Sequence, residues 1–169
     1  MTKAKSIPQR PVKDSQSEIT QVVLPNDANP LGSVLGGTVM HLVDMVAAIA
    51  AQRHCGRHVV TASVDHMDFR CPIRVGEIII LKSSVNRVFR CSMEVGVKVY
   101  REVSFTHQRE HTSSAYLTFV AMDENLRPTP AIQVVPESAD EKRRYIEAGN
   151  RRRWRMSILS PRPATSDNE

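Results

Sequence analysis

Between Thr38 and His54 the chain carries Val39, Met40, Leu42, Val43, Met45, Val46, Ile49 and alanines at 47, 48, 50 and 51, with no proline or glycine. On a helix these positions cover nearly every side of the cylinder, and a helix that is apolar all round is surrounded by protein on most sides. The stretch is too short for a membrane span, which takes roughly 20 apolar residues, and His41 and Asp44 interrupt it. It predicts a single central helix over about 38–54, stopped by Gly56.

Strand-like runs flank it. Glu18 to Leu24 predicts a short first strand ending at Pro25, and 25–37 is dense in turn formers (Asn26, Asp27, Asn29, Pro30, Gly32, Ser33, Gly36, Gly37). After the helix come His58 to Arg70, Glu77 to Phe89, Cys91 to Val103 and Ser113 to Met122, with a polar loop over Ser104 to Thr112. In the third run Met93, Val95, Val97 and Val99 alternate with Glu94, Lys98 and Tyr100, a period of two. Runs of this length exceed the usual strand of about 5–6 residues and predict a long, strongly curved antiparallel sheet. The class is α+β, one sheet wrapped around one helix. A chain of 169 residues makes one ordinary domain. We place it at 18–136, with a disordered tail at 1–17, a basic helix at 137–156 and a disordered tail at 157–169. One sheet and one helix leave unpaired edges and a one-sided core, so pairing with a second copy is expected.

Composition narrows the class. Hydrophobic residues at 41% fit a globular chain, and no apolar run is long enough to cross a membrane. The first 17 residues have no apolar core of a signal peptide, so the expected location is cytoplasmic. Cys55, Cys71 and Cys91 lack any C-x-x-C spacing and predict reduced thiols, neither a disulfide framework nor a zinc knuckle. The net charge of +5 is local: Lys142 to Arg155 holds seven basic residues against Glu147, so the remainder of the chain sums to −1.

Asp44 stands out chemically. A buried, unpaired carboxylate costs several kcal/mol, and aspartate is a mediocre helix former. It is either a hydrogen-bonded structural acid or a general base or nucleophile whose basicity is raised by apolar surroundings. Gly36 and Gly37 precede the helix, where unpaired N–H groups at the positive end of the dipole could hold an oxyanion. By themselves they are equally turn chemistry, as is Asn29 in its loop.

Together these residues resemble the signature of hotdog-fold acyl-CoA thioesterases, in the branch of the brain acyl-CoA hydrolase and its single-domain bacterial relatives. The matching pieces are Pro25-Asn26-Asp27-Ala28-Asn29, Gly32, Gly36-Gly37 and Asp44; Val64-Asp65 with Phe69, Pro72 and Gly76-Glu77; Arg90-Cys91-Ser92-Met93-Glu94-Val95; and Ala115 to Ala121. They run in order from about Thr20 to Pro136. The resemblance implies hydrolysis of acyl-CoA to a fatty acid and coenzyme A, without cofactor. It implies dimers made by joining two sheets, often three dimers to a hexamer, with active sites at the dimer interface. Asn29 of one subunit and Asp44 of the other would meet at the thioester, with the Gly37 N–H binding its oxygen. Arg90, Ser92 and Gly36 match the region of coenzyme A contacts, and the acyl chain would run along Met40, Val43 and Ala47. Two positions depart from the pattern: Leu35 stands where some relatives have His or Phe, and Cys91 replaces a commoner Thr.

Other readings are weighed against this one. His41 lies three residues before Asp44 and could form a dyad, or simply occupy a polar helix face. His54 beside Cys55 suits neither a shared metal nor Cys–His catalysis. His66 and Asp68 read as a surface pair, His107 and His111 as loop residues, and no metal is predicted. The chain lacks the His-Phe-Pro-Gly type loop of hotdog dehydratases. Arg151-Arg152-Arg153-Trp154-Arg155 could grip phosphates and stack a base as a nucleic-acid module, but coenzyme A phosphates or the helix dipole account for it as well; no nucleic acid or membrane partner is expected.

Overall fold

The structure is a computed structural model describing residues 9–159. Its strands are β1 (Gln9–Pro11), β2 (Ser17–Val22), β3 (His58–Val64), β4 (Ile78–Val88), β5 (Ser92–Glu102), β6 (Arg109–Met122) and β7 (Gln133–Val135), and its helices α1 (Gly36–Cys55) and α2 (Ala139–Leu159). Five strands form one antiparallel sheet in the order β2-β4-β5-β6-β3. α1 packs along the inner face of this sheet, so the expected α+β architecture of one sheet around one helix is what the chain adopts.

Alternation produces the core. Met93, Val95, Val97 and Val99 on β5 and Ala115, Leu117, Phe119 and Ala121 on β6 are buried against Val39, Val43, Val46, Ala47 and Ala50 of α1. Register shifts between Val85 and Arg87, between Val99 and Tyr100 and between Thr61 and Ser63 break the long ladders. Such bulges bend a strand and raise its twist, which lets strands of 11 to 14 residues curl around a helix. Gly56 ends α1 in the left-handed conformation at φ 63°, as a C-terminal glycine does.

The helix is not apolar-packed on all sides. Met40, His41 and Met45 are exposed and Asp44 and Ala48 partly so, in one stripe that continues to Gly37 and Gln52. Val43 and Ala47 point the other way, into the chain's own core. Of the three side chains expected along the acyl chain, only Met40 is open within one chain.

The residues read as an N-terminal tail are ordered from Gln9. β1 pairs in parallel with β7, Val12 is buried, and the Ser15 hydroxyl accepts from the Val85 N–H at 2.9 Å. Arg10 donates to the carbonyls of Arg53 and His54 at 2.9 and 3.0 Å, satisfying two of the free carbonyls that end α1. β3 stops at Val64, six residues earlier than predicted, and β6 begins at Arg109 inside the predicted loop. The helix read as ending near Met156 continues to Leu159; residues 1–8 and 160–169 lie outside the described residues.

α2 lies across the outer face of the sheet, held by the basic run itself. Ser138 and Glu141 form a reciprocal cap at its start, Glu141 N–H donating to the Ser138 hydroxyl and Ser138 N–H to the Glu141 carboxylate. Arg151 makes two hydrogen bonds, 2.7 and 3.1 Å, to the fully buried Glu94 and stacks on the Tyr116 ring at 3.6 Å. Arg152 donates to the Ser92 hydroxyl and lies over Phe89, and Arg155 pairs with Asp65 at 2.5 Å. A Cβ on Gly149 would sit 2.3 Å from the Arg87 guanidinium, the far end of a flexible side chain, which a larger residue would have to displace.

Candidate active site

The turn-rich stretch folds into a loop closed by bridges from Ala28 to Val34 and from Ser33 to Arg74. At its base the Asn29 carbonyl-amide oxygen accepts from the N–H groups of Leu31 (2.9 Å) and Ser33 (3.3 Å) and from the Ser33 hydroxyl (3.3 Å). These bonds fix the amide plane. The Asn29 NH₂ is left with no acceptor among the described residues. Leu31 beside it is 90% exposed, an apolar side chain held out at the loop tip.

α1 starts at Gly36, and its first intrahelical bond runs from Val39 N–H to Leu35 carbonyl. The N–H groups of Gly36, Gly37 and Thr38 have no acceptor among the described residues, as the geometry of a helix start dictates. Gly37 has helical, not left-handed, backbone, and a Cβ there would meet nothing within 4 Å. Glycine inside a helix costs about 1 kcal/mol relative to alanine, and nothing in the chain's own packing demands it. Open space at a free N–H is what an incoming oxygen needs. Gly36 differs: a Cβ there would touch the Phe69 ring at 3.5 Å. A cavity of about 350 Å³ opens beside it, lined by Val39, Phe69, Ile73, Thr112 and Ser113 among others.

Asp44 lies two turns further along the open stripe. It is half-exposed, not buried in the core, and the Thr61 hydroxyl donates to its Oδ1 at 2.8 Å. Oδ2 has no partner among the described residues. Thr61 is the residue the sequence reading missed. It shares the inward face of β3 with Val59, where an apolar side chain would be ordinary, and a hydroxyl at that parity was the available signal. The bulge that follows it turns Ser63 and Asp65 to the outer face, where Arg155 meets both.

The remaining candidates are placed elsewhere. No hydrogen bond joins Asn29 to Asp44 within the chain, and none joins His41 to Asp44. Arg90 is exposed at the β4–β5 turn, where its carbonyl accepts from Ala131 N–H at 3.0 Å. Ser92 is engaged by Arg152. Neither shares a hydrogen bond with Asp44 or the α1 start. His66 and Asp68 form an exposed pair at 2.8 Å. His54 is buried, its Nε2–H donating to the Ile132 carbonyl at 2.9 Å, and burial holds its pKa below the usual range. Burial raises the Cys55 thiol, and the neighbouring Glu110 carboxylate raises that of Cys71, so neither is primed as a thiolate. Among the described residues no three His, Cys, Asp or Glu side chains are grouped to hold a metal ion.

A curled sheet around a helix that presents a free N-terminus and a carboxylate on one open stripe defines a thioesterase of the hotdog class, and residues 31–104 match the Thioesterase superfamily. Within that class, a Bacillus subtilis protein described as an uncharacterized acyl-CoA thioester hydrolase, YkhA, is 41% identical over 88% of this chain and 90% of its own length. A crystal structure of an apo-hexameric acyl-CoA thioesterase superposes with a TM-score of 0.89 at 39% identity, over 92% of this chain and 100% of that one. The acyl-CoA hydrolase of Staphylococcus aureus, solved with butyryl coenzyme A, coenzyme A and coenzyme A disulfide, gives a TM-score of 0.85 at 35% identity over 89% and 92% of the two chains. Solved forms of that enzyme include single alanine replacements of an aspartate, an asparagine and a threonine. The human cytosolic acyl coenzyme A thioester hydrolase is 39% identical over 83% of this chain, which spans 37% of its length. The chain belongs to the acyl-CoA thioester hydrolases.

Proposed function

We propose that the protein hydrolyses acyl-CoA at a site shared by two copies of the chain, Asp44 from one subunit and Asn29 from the other. The observation that carries this reading is the disposition of Asp44: Oδ1 held by Thr61, Oδ2 free, on the same open stripe as the free N–H of Gly37. Asp44 removes the proton of a water as its oxygen attacks the thioester carbonyl, or attacks that carbon itself. The oxygen that becomes negative is held by the Gly37 N–H at the positive end of α1. The carbon–sulfur bond then breaks and coenzyme A leaves as the thiol, its sulfur taking the proton that Asp44 removed from the water. In direct attack the acyl–Asp44 anhydride is hydrolysed by a water whose proton goes to the sulfur and whose hydroxyl goes to the acyl group. Asn29, whose oxygen is occupied by its own loop, acts as a donor to the carbonyl or the water.

Support for the two-chain arrangement comes from the surface. β3 is an edge strand with Val60 and Val64 exposed, and Met40 and Met45 are exposed on α1 beside it. Joining β3 to a second β3 would pair the edge, cover the stripe and bring the partner's loop over it. Arg90 remains the candidate for the coenzyme A phosphates, with its guanidinium free. Ser92 and the 151–155 run are weaker candidates, because Arg151, Arg152 and Arg155 are spent on Glu94, Ser92 and Asp65. The same pairs argue against a nucleic-acid role for the run. No helix among the described residues is long and apolar enough to cross a membrane, and with cytosolic relatives we place the enzyme in the cytoplasm.

The test is a screen of acyl-CoAs from acetyl to palmitoyl, following release of free thiol. Wild type should turn over at least part of the series, and Asp44→Ala should lose turnover while keeping fold and assembly. A folded Asp44→Ala protein with wild-type turnover would refute the assignment.

A further inference from the structure

Ser113, on β6, is 2% exposed and lines the cavity beside the start of α1, yet its hydroxyl has no hydrogen-bond partner among the described residues. It continues the inward row of Ala115, Leu117, Phe119 and Ala121, in which every other side chain is apolar. The other polar groups of the wall are engaged. The Thr112 hydroxyl donates to the Val99 carbonyl at 3.2 Å, the Ser33 hydroxyl to Asn29 Oδ1 at 3.3 Å, and the Cys71 thiol to Glu110 at 3.1 Å. Arg70, the only charged residue lining the cavity among the described residues, is exposed. A buried hydroxyl that stays unpaired is costly, so Ser113 calls for a hydrogen-bonding group delivered into the cavity.

The cavity abuts the elements that carry the chemistry. Gly36 and Val39 in the first turn of α1 form part of its wall, and the N–H given to the thioester oxygen belongs to Gly37, between them. A thioester carbonyl held there has two branches. Coenzyme A is too large and too anionic for a space of about 350 Å³ with apolar walls at Val39, Phe69 and Ile73, so the acyl branch is the one that enters. At about 30 Å³ for each water-sized group the space holds on the order of ten non-hydrogen atoms. That fits a short acyl group.

We infer that this cavity seats the acyl group and that Ser113 selects short acyl groups carrying a hydroxy or oxo oxygen, an inference that rests on the thioesterase reading above. In the free protein water satisfies such a hydroxyl. A plain alkyl chain expels that water and leaves the hydroxyl bare, whereas an oxygenated chain replaces the lost bond. Ser113 touches the acyl group and not the reacting atoms, so it sorts substrates without entering the bond changes.

The experiment measures kcat/KM of the full-length protein on hexanoyl-, 3-hydroxyhexanoyl-, 5-hydroxyhexanoyl- and palmitoyl-CoA by thiol release, for wild type, Ser113→Ala and Ser113→Thr. In wild type at least one hydroxyhexanoyl thioester should exceed hexanoyl by about tenfold, the worth of one hydrogen bond made or missed, and should exceed palmitoyl as well. Ser113→Ala should bring the hydroxyhexanoyl-to-hexanoyl ratio to about one, and Ser113→Thr, which keeps the hydroxyl, should retain it. A purely structural Ser113 would lower every substrate together and leave the ratio unchanged in Ser113→Ala, which overturns the inference. A wild-type ratio near one overturns it too, as does palmitoyl turnover equal to that of the hydroxyhexanoyl thioesters. Where Ser113→Ala misfolds, Ser113→Cys, of nearly the same shape and only a weak donor, carries the comparison. A folded wild type that hydrolyses none of the four refutes the thioesterase reading and this inference with it; hydrolysis without the preference refutes the selection alone.

Discussion

Replacing Arg151 by alanine separates the structural from the substrate-binding reading of the basic run. Glu94 is fully buried, and its oxygens receive two hydrogen bonds from Arg151 and one from Asn86 at 3.1 Å. Removing one partner of a buried ion pair costs about 3–5 kcal/mol, because the other charge stays behind without compensation. Asn86 continues to donate, so the lower end applies, about 3 kcal/mol. For a chain of this size each kcal/mol moves the midpoint by about 2–4 °C, which gives a fall of about 6–12 °C. The assay is thermal unfolding at fixed protein concentration, since assembly adds its own stabilisation. Adding Glu94→Gln to Arg151→Ala removes the stranded charge and should recover about half of the loss, a coupling that independent sites would not show. KM for acyl-CoA should stay within about twofold, as for any residue that makes no substrate contact. A midpoint shift below about 2 °C together with a tenfold rise in KM would refute the reasoning and return Arg151 to the coenzyme A site.

Three further outcomes follow from single contacts. Gly37→Ala meets no atom within 4 Å, so it should raise the melting midpoint by a few degrees, worth about 1 kcal/mol of helix propensity, while kcat falls at least tenfold; unchanged kcat would show that nothing approaches that N–H. Thr61→Ala removes the 2.8 Å bond to Asp44 and should cost about 1.5–3 kcal/mol in kcat/KM, whereas Thr61→Ser keeps most activity; equal losses in the two would mean that the methyl group matters and the hydroxyl does not. Burial, with a smaller contribution from nearby Arg10, holds the folded pKa of His54 below its unfolded value of 6.5. The unfolded chain therefore binds the proton first as pH falls, and the stabilisation present above pH 6.5 is lost below it. Chemical denaturation at pH 7 and pH 5 should show a smaller pH-dependent loss in His54→Gln, whose amide can still donate to Ile132; identical losses would contradict the burial argument.

The central helix and the long strands were legible because their signals are periodic and long: Met93 to Val99 alternate without a break, and α1 holds no proline or glycine after its first two residues. The completeness of the apolar surface of α1 misled in one respect. Met40 and Met45 read as core, yet within one chain they are exposed, on the stripe proposed above as the pairing surface. β1 and β7, three residues each, carry no period at all, so the ordered start at Gln9 was not visible. Arginines in a run ordinarily read as a solvated face. The available clue was Glu94, an acid on the outer parity of β5 whose partner had to come from another element, and no local pattern pointed 57 residues along the chain to Arg151. Asn29, Gly37 and Asp44 were legible as candidates from chemistry and resemblance. Thr61 was not, because a threonine in a strand is ordinary until the helix above it is known to place a carboxylate there.

The most direct test of a site shared between two chains is subunit mixing. Asn29→Ala and Asp44→Ala proteins, each inactive alone, are co-expressed with different tags, and the mixed dimer is purified through both. Each mixed dimer has one site with both groups intact and one with neither, so the purified species should show about half of wild-type turnover per dimer, and an unselected equal mixture about a quarter. Hydrolysis absent from a folded mixed dimer, with wild type active under the same conditions, would place Asn29 and Asp44 of each site in one chain and contradict the account.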